Sequence, residues 1–196
     1  MMRRVVPIAA FCVVALLGAG CASPPSSFYT LSRTAAPAAA TSNLALVVGP
    51  VSIPAIVDMP QMVINAGPNE VAIDEYNRWA SPLQNNITRV VAENLVVMLG
   101  TPRVSQFQQS LNADADFRVA IEVQSFESAP GESATLNAVW IVRRVRDGKA
   151  ETGRTTVQEP VRDKTYAALA AAHSRALGQM SQDIAAKVRA LDGTAK

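Results

Sequence analysis

Phe117-Arg118-Val119-Ala120-Ile121-Glu122-Val123-Gln124 is the stretch whose periodicity decides the fold class. Phe117, Val119, Ile121 and Val123 alternate with Arg118, Glu122 and Gln124. Successive side chains of an extended chain point to opposite faces, so this strand has one buried and one wetter face. Ala129-Pro130-Gly131 breaks it. Two further runs follow, 135–146 and 149–161, in which "VWIV" and "TTV" favour strands. Asp147-Gly148 between them signals a type I′ hairpin.

Beyond the hairpin the period changes from two to nearly four. Tyr166, Leu169, His173, Leu177, Met180, Ile184, Val188 and Leu191 recur at spacings of three and four. They predict a long amphipathic helix that starts near 163–165, covers the sheet and closes at Asp192-Gly193. A second helix is predicted upstream. Ser81-Pro82-Leu83-Gln84 reads as a start with Ser81 as cap, Pro82 at the first helical position and Gln84 completing a capping box. Leu83, Ile87, Val90, Val91, Leu95 and Met98 share one face, and Gly100 with Thr101-Pro102 ends the helix.

Before that helix, "LALVV" at 44–48 reads as a buried strand, stopped by Gly49-Pro50 and continued weakly through Val51 and Ile53. A strand near 61–65, the turn Ala66-Gly67-Pro68-Asn69 and a strand over 70–76 suggest a hairpin. Arg103 to Phe107 suits a short strand. The expected fold is α/β of the α+β kind: a single compact domain over 44–192, its mixed or antiparallel sheet covered by two long amphipathic helices, with a short tail at 193–196.

The N-terminal region has a different character. Met1-Met2-Arg3-Arg4 is positive, 5–17 is almost wholly apolar, and Gly18, Ala19 and Gly20 are small. That is the layout of a signal peptide, too short to span a bilayer. Cys21 follows directly, so 1–20 read as a lipoprotein signal, although Leu17 stands four places before the cysteine rather than three. The thiol would carry a diacylglycerol and the new amine an acyl chain. Several chains together anchor stably where one does not. Cys12 leaves with the signal, so the mature chain has no disulfide and no other thiol. Residues 21–43 are rich in Ala, Ser, Pro and Thr and read as a flexible tether. Its large apolar group, Phe28-Tyr29-Thr30-Leu31, is more than a spacer requires. It is either incidental or a segment that docks on the domain or on a neighbouring subunit.

Charge and chemistry narrow the function. Loss of Arg3 and Arg4 leaves 16 basic residues against 16 acidic ones, so no electrostatic footprint for nucleic acid remains. The single histidine, His173, lies on an apolar helical stripe and reads as packed rather than catalytic. No metal-ligand cluster, phosphate loop or activated nucleophile is legible, and no cofactor beyond the lipid on Cys21 is expected. Asp114 and Asp116 read as a solvated start to a strand. The basic tip 143–149 reads as a solvated turn guarding a sheet edge, with anionic headgroups or an acidic partner as the alternative. Arg78-Trp79, just before the helix start, reads as a structural corner first and a binding corner second.

Three stretches carry a family resemblance. "FYTL" follows Cys21 where the family shows Tyr-x-Leu, "VGPVSIPAIVDMPQMVI" looks like its first strand, proline turn and second strand, and "YNRWASPL" looks like its Arg-Trp-x-x-Pro-Leu helix start. In these features the chain resembles the PqiC-like ABC-transport auxiliary lipoproteins of Gram-negative bacteria, over essentially the whole mature chain. The resemblance implies a non-enzymatic outer-membrane lipoprotein facing the periplasm. It would dock with the periplasm-spanning MCE-domain protein of a lipid-transport system that supports envelope integrity, with assembly into a homo-oligomeric ring as a further implication. Ala22 and Ser23 after the cysteine, with no Asp there, favour outer-membrane sorting. Phe28, Tyr29, Leu31, Arg78, Trp79, Pro82 and Leu83 are the docking candidates. The alternative is a structural or assembly lipoprotein acting on outer-membrane proteins or the cell wall, with a hydrolase a distant third.

Overall fold

A computed structural model describes residues 24–37, 41–107 and 114–193. The signal, Cys21 and the last three residues lie outside the described residues. The strands are β1 (Ser27–Tyr29), β2 (Leu46–Ser52), β3 (Gln61–Gly67), β4 (Glu70–Trp79), β5 (Val104–Gln106), β6 (Phe117–Ala129), β7 (Ser133–Arg144) and β8 (Ala150–Pro160). The helices are α1 (Leu83–Leu99) and α2 (Tyr166–Gly193).

The fold is mixed α+β in one domain, with the two helices where the apolar periodicity places them. The strands divide between two sheets: a five-stranded sheet in the order β5-β2-β6-β7-β8 and a three-stranded sheet in the order β1-β4-β3. β5, β2 and β6 run parallel, while β6-β7-β8 is an antiparallel meander. α1 lies against β2 and β5, α2 lies against β7 and β8, and the helices pack on each other. The core is the layer between: Leu46, Val48, Phe117, Val119, Ile121, Leu136, Trp140 and Val142 from the sheet, with Ile87, Val90, Leu95, Leu177, Met180, Ile184 and Val188 from the helices. Arg118 and Glu122 of β6 and Thr152, Arg154, Thr156 and Gln158 of β8 are exposed on the opposite face.

β6 extends past Gln124 because a bulge between Val123 and Ser125 shifts its phase by one. The extra residue carries Phe126 and Ser128 onto the buried face, where strict alternation from Phe117 would leave them in water. Gly153 opposes Trp140 across β7 and β8. A Cβ at Gly153 would lie 2.3 Å from the indole Cη2 and Cζ2, so the ring occupies the space a side chain would need. The indole N–H donates to Thr155 Oγ1 at 3.0 Å, which satisfies the polar handle of this buried ring.

Two local expectations are corrected. α1 has no Ser81 cap or capping box: its cap is Pro82, with no side-chain cap bond, and the Gln84 amide donates instead to Val51 O. Gln84 ties the helix start to β2, a tertiary bond that replaces the local one. At the other end Gly100 takes the left-handed conformation (φ 63°) and its N–H returns to Val96 O. The β7–β8 connection is not a type I′ turn, which needs positive φ at both central residues. Among the described residues only glycines have positive φ, Gly148 (φ 72°) being one. The strands are joined by residues 145–149, closed by Arg144 N–H to Lys149 O and Gly148 N–H to Arg144 O. Arg144 lies on the buried face and needs a partner. The wider loop brings Asp147 to it at 2.6 Å, and Arg144 also donates to Leu191 O at the end of α2. The guanidinium hydrogen bond holds the Asp147 carboxyl down to about 2.

Candidate docking surface

The segment that composition reads as a tether is, from Ser27 to Ala35, laid across the domain. β1 pairs in parallel with the end of β4, matching Ser27 with Asn77, Phe28 with Arg78 and Tyr29 with Trp79. Leu31 then enters the core and is 1% exposed. The chain continues in the groove between α1 and α2. Ser32 N–H donates to Ser174 Oγ (3.0 Å), and Thr34 and Ala35 N–H both donate to Asn94 Oδ1 (3.1 Å each). The Arg89 guanidinium donates to Leu31 O at 2.7 Å. Linker composition does not exclude this course, because the strap needs one buried apolar side chain and backbone amides that find acceptors.

The groove is shaped for the strap. Ala170, Ser174, Gly178 and Ser181 of α2 are small and follow one line along the helix. A Cβ at Gly178 would meet Thr34 Oγ1 at 2.2 Å. Asn94 sits fully buried inside the apolar stripe of α1, its Nδ2 on Ser181 Oγ at 3.3 Å. A buried amide amid leucine and valine, facing a helix of small residues, is a sequence signal of close backbone approach. Each of these residues is unremarkable on its own helix, and only their juxtaposition makes the groove.

The structure brings most of the predicted docking residues to one corner. Tyr29 lies 6.0 Å from Tyr166, ring centre to ring centre, and donates to Asn77 Oδ1. Trp79 is buried and meets Phe126 edge-on at 6.3 Å. Phe126 in turn stacks on His173 at 3.7 Å. Leu83, the first residue of α1, is fully buried, and Pro82 caps that helix. Phe28 (65% exposed) and Pro82 face outward, and half-buried Arg78 pairs with Glu75 at the surface. Tyr29, Leu31, Trp79 and Leu83 hold the strap and the corner together, while Phe28 and Arg78 form its outer skin.

Electrostatics mark the corner as structural. Asp74 Oδ2 accepts from the Tyr166 hydroxyl at 2.7 Å, and its other oxygen accepts from the Tyr76 and Asn77 amides. Desolvation opposes the Asp74 charge, but these bonds prevail and its carboxyl lies below the usual range. Burial pushes the Tyr166 phenol up, and the Asp74 bond adds to the shift. His173 is fully buried, contacts Ser128 Oγ through Nε2 at 2.8 Å, and is pushed down to about 3 by desolvation. It is neutral at physiological pH. No group of His, Cys, Asp or Glu among the described residues is arranged to hold a metal ion. No helix among them is long and apolar enough to cross a membrane.

The fold has solved neighbours. One crystal structure of an uncharacterised protein matches with a TM-score of 0.69 at 19% identity, covering 84% of this chain and 99% of its own. A Xanthomonas campestris protein of the DUF330 family matches with a TM-score of 0.65 at 23% identity, covering 81% of this chain and 92% of its own. At these identities the likeness concerns the fold. Comparison with curated proteins gave no match. The family model described as the ABC-type transport auxiliary lipoprotein component matches residues 29–185, from Tyr29 in the strap to near the end of α2. The chain belongs to that family. It is thus an auxiliary lipoprotein of a transport system, with the membrane-anchored envelope location the family description carries.

Proposed function

We propose that this chain is a non-enzymatic outer-membrane lipoprotein that faces the periplasm and docks with the MCE-domain protein of an ABC-type lipid-transport system. The observation that carries the reading is the family match over residues 29–185. The strap adds support, because a lipid on Cys21 would connect directly to a segment packed into the domain. Pulling on that anchor would act on the folded body with little slack. A binding role also suits the chemistry, since the one histidine is neutral, buried and stacked on Phe126.

The test is a mild crosslink of intact cells, purification of the chain from detergent-solubilised envelope, and mass spectrometry of its partners. Recovery of an MCE-domain protein in stoichiometric amount is expected. Recovery of a β-barrel or cell-wall protein alone would overturn the reading in favour of an assembly role.

A further inference from the structure

The three-stranded sheet has a side on which, among the described residues, several large apolar groups are exposed. β4 residues Val71 and Ile73 are each 47% exposed, Tyr76 is 41% exposed, and Phe28 of β1 is 65% exposed. Register places them together. Ile73 opposes Val63 and Val71 opposes Asn65 on β3. Gln61, on the same side of β3 as Val63, opposes Arg78, which opposes Phe28. The other side of this sheet carries Met62, Trp79 and the Asp74–Tyr166 bond and faces the core. Phe28, Val71 and Ile73 are therefore the exposed apolar groups of this outer side, with Tyr76 at the irregular stretch of β4, while Val63 on the same side is half-buried and packs against the core. Large apolar side chains exposed together on one side of a sheet point to an interaction site.

Chain length says what covers it. Cys21 precedes Phe28 by seven residues. Seven extended residues span at most about 25 Å. Because the strap is packed from Ser27 onward, that short segment is all the slack between a lipid on Cys21 and the domain. A flexible tether reaching to residue 43 would have let any face turn toward the bilayer; the packed strap leaves the β1 side nearest to it. We propose that the outer face of the β1-β4-β3 sheet rests on the bilayer that holds the anchor, with Phe28, Val71 and Ile73 at the acyl boundary and Tyr76 at headgroup level. This rests on Cys21 being lipidated. The charges around the face suit a zwitterionic surface. Arg78 is paired with Glu75, and Glu70 at the turn gives no attraction to anionic lipid. Contact is apolar and short-ranged, so it needs the tether to bring the face down.

The test uses the full lipidated chain in vesicles of phosphatidylethanolamine and phosphatidylcholine, at less than one copy per vesicle. Acylation leaves the mature chain without a free thiol, so Ile73→Cys can carry the one nitroxide; Phe28→Cys serves if that variant does not fold. Arg154→Cys, on the exposed face of the five-stranded sheet, is the control. The expected result is that the label at position 73 meets dissolved oxygen more readily than a water-soluble nickel reagent, while the label at 154 does the reverse. Equal access of the nickel reagent to both labels would overturn the proposal. Protection at 73 that appears only when vesicles are crowded would also overturn it, in favour of a second copy as occupant. The intact mass of the same sample separates the two levels. Without the lipid mass the anchor reading fails and this proposal fails with it. With the lipid present and label 73 in water, this proposal alone fails.

Discussion

Leu31→Ala separates a docked strap from a tether more sharply than any other change. Leu31 is 1% exposed and belongs to the main core, although it lies in a segment of alanine, serine, proline and threonine. Truncating a fully buried leucine costs about 2–5 kcal/mol, the transfer of the lost methyl groups plus the cavity left behind. The upper part of that range is out of reach here. Once the variant strap is weaker than the rest of the fold it detaches, and the loss stops at the strap's own contribution. About 2–3 kcal/mol is the expected figure. For a domain of this size each kcal/mol moves Tm by roughly 2–4 °C, so the fall is about 4–12 °C. The assay is thermal unfolding followed by far-ultraviolet circular dichroism, with amide hydrogen exchange alongside. The Thr34 and Ala35 amides, held by Asn94, should lose protection in the variant while the β6–β7 ladder keeps its own. A Tm within about 1 °C of the parent, with protection at Thr34 unchanged, would refute the strap and restore the tether.

The remaining predictions concern the corner and the core. Trp79→Ala removes a buried ring that meets Phe126 edge-on, and a loss of about 3–5 kcal/mol in urea unfolding is expected; an unchanged midpoint counts against its burial. Gly153→Ala forces the Trp140 indole off its seat and is expected to cost about 1–3 kcal/mol, with a red shift of tryptophan emission as the check. His173 makes stability depend on pH. Its folded value, about 3, lies below the usual 6.5 of the unfolded chain, so the unfolded state binds the extra proton. Stability is complete above pH 6.5 and falls as pH drops toward 3, by at most about 1.4 kcal/mol per unit. His173→Phe should flatten the curve between pH 6 and 4, and identical slopes in the two proteins would exclude histidine as its source.

Period and punctuation in the sequence determined much of the fold. Alternation from Phe117 to Val123, the apolar stripe from Tyr166 to Leu191 and the stripe from Leu83 to Met98 each report a local repeat matched to one buried face. Such repeats are legible because the core selects every second or every third and fourth residue of a continuous segment. The corner at Trp79 was legible for a related reason, a large aromatic beside a helix start. Family membership was legible in the order of short stretches around it.

Other features depend on partners distant in the chain. Gln84 had the right spacing for a capping box, yet Val51 O, thirty-three residues earlier, claims its amide. Asp147-Gly148 had turn chemistry, but the buried Arg144 needed Asp147 as a partner and the loop widened. β1 pairs with β4, fifty residues away, to complete the three-stranded sheet, and a bulge opposite β7 carries Phe126 inward. The strap shows the difference most clearly. Its own sequence describes a linker, because apolar content measures how much surface a segment can bury by itself. Asn94, Ser174 and Gly178 decide otherwise by supplying acceptors and a gap at the distance where Ser32 to Ala35 pass. A segment with one leucine docks when the groove is built for its backbone, and only the folded helices build that groove.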